Sequence, residues 1–554
     1  MSEFYQHFCT EGFDENGVLN RFELHYPENY NFGYDVVDAR AKETPNDKAL
    51  VWCNVEGETA EFTFEQMSRL SNQAANLFTD YGIKKGDKVI VVLKRHYQYW
   101  YTLVALNKIG AVAIPATHLL TKKDFVYRFH AADAVAIVCT AEGEVSEHAE
   151  QAQPDCPTFA TKFLVRGGDR DGWVNFDEKI KEYPETFERR DTKATDPFLL
   201  YFTSGTTGYP KMVMHDHTYS LGHIITARHW HTEEPGELHL TVSETGWGKA
   251  AWGKLYGQWI VGSTIFVYDF DKFVAADLLH LIEKYKISTF CAPPTIFRFF
   301  IKEGIEGYDF SSVRYANIAG EALNPEVYDR FRDYTGLKLM EGFGQTETTL
   351  LLANLKGMEP KPGSMGKPSP MYNVDLVDED GNSVAPGVVG EIVVHTEENK
   401  KQVGLFMGYY RDEEKTKAVW HDGLYHTGDT AWKDEDGYFW YVGRTDDVIK
   451  ASGYRIGPFE IESVLMEHPS VLECAVTGAP DPVRGQVVKA TIVLTKDHQP
   501  SEELKKELQN YVKKQTAPYK YPRIVEFVSE LPKTISGKIR RAQIRQENFQ
   551  KAGE

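Results

Sequence analysis

The sequence predicts a layered α/β protein with a small α+β tail. A large amino-terminal domain, residues 1–445, would comprise layered α/β subdomains and a β-rich subdomain near 363–445, and a small mobile domain would follow at 446–554. Three observations carry this. Short β-prone apolar runs alternate with helix-prone segments through the first 300 residues, the pattern of sheets covered on both faces. After Gly363 the texture changes to short β segments and turns such as Asp380-Gly381 and Pro386-Gly387. A chain of 554 residues also exceeds one core, because domains run to ~150 residues.

The elements follow in order. Asp87–Leu93 reads as a strand, Tyr97–Lys108 as a helix and Gly110–Pro115 as the next strand. Ala134–Cys139 and Ser288–Ala292 repeat the strand pattern, with an amphipathic helix at Phe273–Lys284. Val374–Val377 and Glu391–His395 are the clearest strands of the β-rich part. A second break falls at Arg444–Val448, after which Glu460–Glu467 reads as a helix and Leu472–Gly478 and Val487–Leu494 as strands. That tail, about a hundred residues long, has the size of an independent unit.

Composition narrows the function classes. With 62 Lys+Arg against 81 Asp+Glu the formal net charge is −19, which disfavours unaided binding to a nucleic-acid backbone. The six cysteines include no C-x-x-C pair, so neither a disulfide framework nor a thiolate metal site is expected, and a reducing cytoplasm fits. The amino terminus lacks a basic region followed by an apolar core, and no stretch approaches the ~20 apolar residues of a membrane span. Neither H-E-x-x-H nor G-x-S-x-G occurs, so a zinc peptidase or an elbow-type serine hydrolase has no support.

The most telling stretch is Thr203-Ser204-Gly205-Thr206-Thr207-Gly208-Tyr209-Pro210-Lys211, which follows the apolar run Pro197–Phe202. Glycine lets backbone N–H groups approach anionic oxygens, hydroxyls add donors and lysine adds a mobile charge. This is the composition of a strand-to-strand loop wrapped around polyphosphate. Only Tyr209 and Pro210 separate Gly208 from Lys211, and no hydroxyl residue follows the lysine, so the helix-opening P-loop is excluded. Gly248–Lys254 has P-loop-like spacing, but Leu255 stands where a metal-binding hydroxyl is needed. From Lys505 to Arg545 eleven Lys/Arg face three Asp/Glu, an island of positive charge suited either to solvent or to a phosphorylated ligand.

Thr203–Lys211, Gly320-Glu321-Ala322, Glu341–Glu347, Tyr425–Asp429, Gly443–Lys450, Ser452–Arg455 and Pro532–Lys538 stand in the order of the signature motifs of adenylate-forming enzymes. The chain resembles that family over nearly its whole length, and within it the acetate and medium-chain acyl-CoA synthetases. The resemblance implies ATP, Mg2+ and coenzyme A as ligands. It implies that Thr203, Ser204, Gly205, Thr206, Thr207, Gly208 and Lys211 cradle phosphates, and that Thr203 and Glu347 hold the metal. Gly320, Glu321 and Ala322 with Glu341, Gly342, Phe343, Gly344, Gln345 and Thr346 would flank adenine. Asp429 would accept the ribose hydroxyls beside Arg444. Lys538, Arg455 and Thr346 would act in catalysis, Lys538 bridging the attacking carboxylate and the α-phosphate. Asp446 would be a hinge, swinging the tail so that Ser452, Gly453 and Tyr454 meet the pantetheine arm. Arg484, Lys513 and Tyr521 match positions where relatives contact coenzyme A. Lys538 is also a candidate for a lysine acetyltransferase and deacetylase, because acetylation removes its charge.

These roles suit the chemistry. A carboxylate becomes an acyl donor only when its oxygen joins a phosphate, and bringing two anions together requires cations and N–H donors. Acetate-specific relatives carry a tryptophan before the residue equivalent to Gln345, whereas this chain has Gly344, which predicts an open wall. Trp247, Lys249 and Trp252 add bulk nearby, and on one helix at least two of them would face one cavity. A pocket floored by Trp252 would take short, branched or modest medium-chain acids. The residues leave other readings open: an aryl-acid ligase of the benzoate type, a carrier-protein-loading domain, disfavoured because sixteen residues follow Lys538, or a nucleotide-binding regulator without catalysis.

Overall fold

Two large sheets face one another across buried helices in the computed structural model, which describes residues 3–203, 210–320, 323, 325–397, 402–451, 454–482, 484–534 and 538–553. Of Pro325, Arg455 and residues 551–553 only the backbone is described. The first sheet has eight strands. Lys88–Val92, Val112–Pro115 and Ala134–Thr140 lie parallel in it, at the places where the apolar runs predict strands, and Thr161–Val165 joins them in parallel. Its other flank is the antiparallel pair Pro197–Thr203 and Lys211–Asp216. The second sheet has nine strands, with Leu238–Thr241, Thr264–Asp269, Thr289–Ala292, Tyr315–Ile318 and Leu339–Phe343 parallel.

The helix Gln98–Ile109 explains how these layers stay together. All twelve of its residues are buried, and a helix enclosed on every side has no polar face to give to solvent. It closes on Gly110 at φ +81°, a left-handed position that glycine adopts without a Cβ penalty. Lys108 on the same helix is fully buried, and its ammonium donates to Asp38, Ser71 and Asn72 at 2.7, 3.0 and 2.6 Å, so the charge is paired and its donors are satisfied. Among the described residues no helix is long and apolar enough to cross a membrane.

The β-rich segment is interwoven with the large sheets. Asn373–Val377, Gly390–His395, Leu424–Lys433 and Phe439–Arg444 form a separate antiparallel sheet. Lys367–Pro368, by contrast, extends the nine-stranded sheet, and Gly408–Tyr409 pairs with Lys211–Asp216 of the eight-stranded one. This pairing carries Tyr409, from the β-rich segment, to the site. Beyond it, Ile449–Ala451, Tyr454–Ile456, Val471–Asp481, Gly485–Leu494 and Ile524–Phe527 make a further five-stranded sheet. The helices Pro458–Met466, Glu502–Gln515 and Arg541–Gly553 accompany it. The tail meets the body where Phe459 packs against Tyr441 and Pro458 lies beside Gly443.

Candidate active site

Strand ends of the two large sheets converge on one crevice, the usual place for ligands in α/β architectures. Thr203 stands opposite Lys211 in the antiparallel pair, so the glycine- and hydroxyl-rich stretch connects two strands. Ser204, Gly205, Thr206, Thr207 and Gly208, together with Glu321, Ala322, Ser452, Gly453 and the side chain of Arg455, lie outside the described residues. On the far side of the Lys211 strand, Tyr409 donates its phenol proton to Glu347 Oε1 at 2.9 Å. The Lys211 ammonium lies 3.5 Å from that phenol oxygen and 4.8 Å from the ring centroid. Burial lowers the Lys211 pKa, against the pull of Glu347. A mobile cation, a carboxylate and a strand-end hydroxyl therefore gather from three segments.

A second cluster surrounds Asp429, which is buried. Gln345 Nε2 donates to Asp429 Oδ2 at 2.5 Å and to the Thr427 carbonyl at 2.8 Å, while the Tyr425 phenol donates to Gln345 Oε1 at 2.7 Å. Tyr441 donates to Asp429 Oδ1 at 3.1 Å, and Arg444 Nη1 pairs with Oδ2 at 3.3 Å. Burial pushes the Asp429 carboxyl above its ordinary value, with Arg444, Tyr441 and Gln345 acting against it. Arg444 is itself raised: burial opposes its charge, and Asp429 and Asp446 outweigh that. The result is a fixed acceptor at a strand edge, matched to a pair of neighbouring hydroxyls.

Gly320 and Glu341 sit at adjacent strand ends. Gly320 has φ +102°, a conformation that glycine adopts freely as the chain leaves Tyr315–Ile318. Glu341 is buried, its Oε2 has no hydrogen-bond partner among the described residues, and burial pushes its carboxyl up to about 8 against a hydrogen bond from the Leu323 backbone. Its folded value thus exceeds the unfolded one. Stability is fully present below the ordinary carboxylate range and is lost as pH rises through about 8, with a slope approaching ~1.4 kcal/mol per pH unit. Glu341→Gln is expected to flatten the dependence between pH 5 and 8, as read by urea denaturation; an unchanged slope would remove Glu341 as its source.

The pocket departs from the sequence reading in two ways. The helix covers only Gly248–Gly253, and Trp247 precedes it in extended conformation, so Trp247 and Trp252 share no helix face. Gly246 forces this: a Cβ there would lie 2.4 Å from the Ala116 backbone, and the loop lies flush against Ala116-Thr117. The wall beside Gly344 is also not open. A Cβ at Gly344 would lie 2.4 Å from Trp252 Cη2 and 2.4 Å from the Thr349 carbonyl oxygen, so the Trp252 indole fills that space from the other side. Gly342 receives Trp230 in the same manner, with a Cβ meeting its ring at 2.7 Å. The two indoles stand edge to face with centroids 6.4 Å apart, and the Lys249 ammonium, buried and without a hydrogen-bond partner, lies 5.4 Å from the Trp230 ring. Thr346 faces this region, 3.6 Å from a Cβ built on Gly248, and its carbonyl accepts from His215 Nε2 at 2.7 Å.

In the tail, Tyr521 stacks under the Lys513 ammonium at 4.0 Å, and Tyr454 stacks on Tyr519 at 4.1 Å. Tyr454, Arg484 and Tyr521 line one small cleft of about 60 Å³. The three cationic and aromatic positions expected for coenzyme A therefore cluster together. Among the described residues no hydrogen bond or ion pair joins Lys538 to Lys211, Glu347 or Asp429. Lys538 is exposed, its backbone exchanges hydrogen bonds with Thr534, and among the described residues its side chain forms no ion pair. Trp230, Tyr409 and Tyr441 are site residues that the sequence reading missed. Trp230 and Tyr409 act through contacts between distant segments that no local pattern announces, and Tyr441 reaches Asp429 across the hairpin that pairs Leu424–Lys433 with Phe439–Arg444.

Residues 37–410 match the AMP-binding enzyme family and residues 460–538 the AMP-binding enzyme C-terminal domain. The chain is 43% identical over 535 residues to the mitochondrial acyl-coenzyme A synthetase ACSM5 of Homo sapiens, spanning 95% of this chain and 92% of that one. It is 42% identical over 548 residues to mitochondrial ACSM4 of Mus musculus, spanning 97% and 94%. Among solved structures, the anthranilate CoA ligase AuaEII in complex with anthranoyl-AMP superimposes with a TM-score of 0.86 at 28% identity, over 96% of this chain and 99% of the other. An acyl-CoA synthetase of Brucella canis does so with 0.70 at 31%, over 94% and 95%.

Proposed function

The chain belongs to the AMP-binding enzyme family, and from that premise we propose that it is an acyl-CoA synthetase whose acid is short to medium in chain length, branched acids included. The observation that carries the choice of acid is the Trp252 indole lying in the space beside Gly344. A wall set there limits the depth open to an acyl chain.

In the first half-reaction a carboxylate oxygen bonds to the α-phosphorus of ATP, the bond to pyrophosphate breaks, and acyl-AMP forms. In the second, the coenzyme A sulfur bonds to the acyl carbon, its proton passes to solvent, and AMP leaves. The residues supply what the first step lacks. Asp429 holds the ribose through a carboxylate locked by Gln345, Tyr441 and Arg444, which fixes the α-phosphorus against the acid. Lys211 offsets the negative charge of the polyphosphate. Glu347 and Thr203 present carboxylate and hydroxyl oxygens, a donor set that fits Mg2+; bound there, the ion would neutralise phosphate charge. Tyr409 orients Glu347 for that task.

The tail cleft of Tyr454, Arg484 and Tyr521, with Lys513 beside it, is our proposed seat for coenzyme A. Exposure of Lys538 leaves it accessible to an acetyltransferase and a deacetylase. All six cysteines are free and buried, which suits a reducing compartment; the cytoplasm is our proposal for this chain, and the relatives above are named as mitochondrial.

Carboxylate-dependent ATP–pyrophosphate exchange across acids of graded length, branching and ring content tests the reading, followed by addition of coenzyme A. The highest kcat/KM is expected among short and medium aliphatic acids. A preference for benzoate or anthranilate would replace the aliphatic reading with the aryl one.

A further inference from the structure

The linker between body and tail carries a chain of charges that runs from the Asp429–Arg444 pair to the terminal helix. Arg444, on the body, pairs with Asp429 and lies 3.8 Å from Asp446 through Nε. The other oxygen of Asp446 lies 3.6 Å from Arg545 Nη2, and Arg545 Nη1 contacts Asp447. Arg545 belongs to the terminal helix Arg541–Gly553. That helix is bound to the tail independently: Arg541 forks onto Glu462 at 2.8 and 2.6 Å, and Asn548 accepts from Lys489 at 2.6 Å while donating to Thr477 at 3.1 Å. Asp446 is therefore one anion shared by a cation fixed to the body and a cation fixed to the tail. The Arg545 side chain is 20% exposed and that of Asp447 13%, so this pair is screened less than an ordinary surface pair, whereas Arg444 and Asp446 are 39% and 38% exposed.

We propose that Arg545 is a positioning residue, clasping Asp446 and Asp447 and so holding the tail in the orientation that keeps Lys538 out of the crevice. Turning the tail about the linker pulls Asp446 away from Arg444 or from Arg545. Either loss takes from Asp446 one of its two cationic partners. Arg545 thereby favours the orientation in which the tail cleft, not Lys538, serves the crevice, and the inference rests on the acyl-CoA synthetase reading above. Its effect falls on the balance between the two half-reactions.

The test compares Arg545→Ala and Arg545→Lys with the wild type in pyrophosphate exchange and in thioester formation from supplied acyl-AMP. Arg545→Ala is expected to lower the ratio of thioester formation to exchange about fivefold. Arg545→Lys, which keeps the charge without the fork, should recover part of it. Spin labels at Lys123→Cys and Lys506→Cys, both exposed positions in a protein whose own cysteines are buried, report the orientation directly. The Arg545→Ala distance distribution should differ from wild type in ligand-free protein. An unchanged ratio or an unchanged distribution overturns the clasp. A wild type that performs neither half-reaction defeats the synthetase reading itself, whereas an active wild type with an indifferent Arg545→Ala defeats the clasp alone.

Discussion

Replacing Lys538 by alanine is expected to reduce acyl-adenylate formation about 10²–10³-fold, the usual cost of losing one preorganised donor at a site of developing charge. Thioester formation from supplied acyl-AMP should stay within about twofold of wild type, because that step sets no carboxylate against a polyphosphate. The asymmetry follows from electrostatics. The first step sets a carboxylate against a polyphosphate in a crevice already holding Glu347 and the buried Asp429, and Lys211 and Arg444 are engaged with those two groups. An additional cation must come from elsewhere. Lys538 is exposed and forms no ion pair among the described residues, so its ammonium gives up no ion pair of its own on delivery. For the same reason Lys538→Ala should leave the melting temperature unchanged, which separates a chemical defect from a folding one. Equal losses in both half-reactions would rule out the role.

Much of the scaffold was legible because its signals are local. The stretches Val89–Val92 and Ala134–Cys139 are apolar and rich in β-branched residues, and they lie in the parallel strands Lys88–Val92 and Ala134–Thr140. The motif order also singled out Thr203, Gln345, Glu347 and Asp429 as expected site residues. What stayed hidden depends on distant segments meeting. Tyr409 reaches Glu347 because Gly408–Tyr409 joins the edge of another sheet, and nothing near residue 409 declares that pairing. The pocket misled in a similar way. A missing side chain at Gly344 reads as empty space, yet interiors are close-packed, and the space was taken by an indole ninety-two positions earlier in the chain.

Trp252→Leu is expected to move the preferred acid toward longer chains. The indole is 6% exposed and lies against Gly344, Trp230 and His223, so leucine vacates the volume of about one ring beside a residue that has no side chain to fill it. Thr349 blocks collapse from the opposite direction, since its carbonyl oxygen already stands 2.4 Å from the position of a Cβ at 344. The vacated space therefore remains available to substrate. One methylene in an apolar pocket is worth ~1–3 kcal/mol, or roughly 10–200-fold in kcat/KM, so acids extended by one to three carbons should gain at least about tenfold relative to the best short acid. Loss of packing should cost about 2–4 kcal/mol of stability, measurable by denaturation and kept below the cost of alanine by the retained leucine. The decisive measurement is the kcat/KM profile across a homologous series of acids for folded Trp252→Leu. A profile superimposable on wild type would place the acyl chain elsewhere and leave Trp252 as packing alone, since a ring that does not bound the substrate cannot set its length.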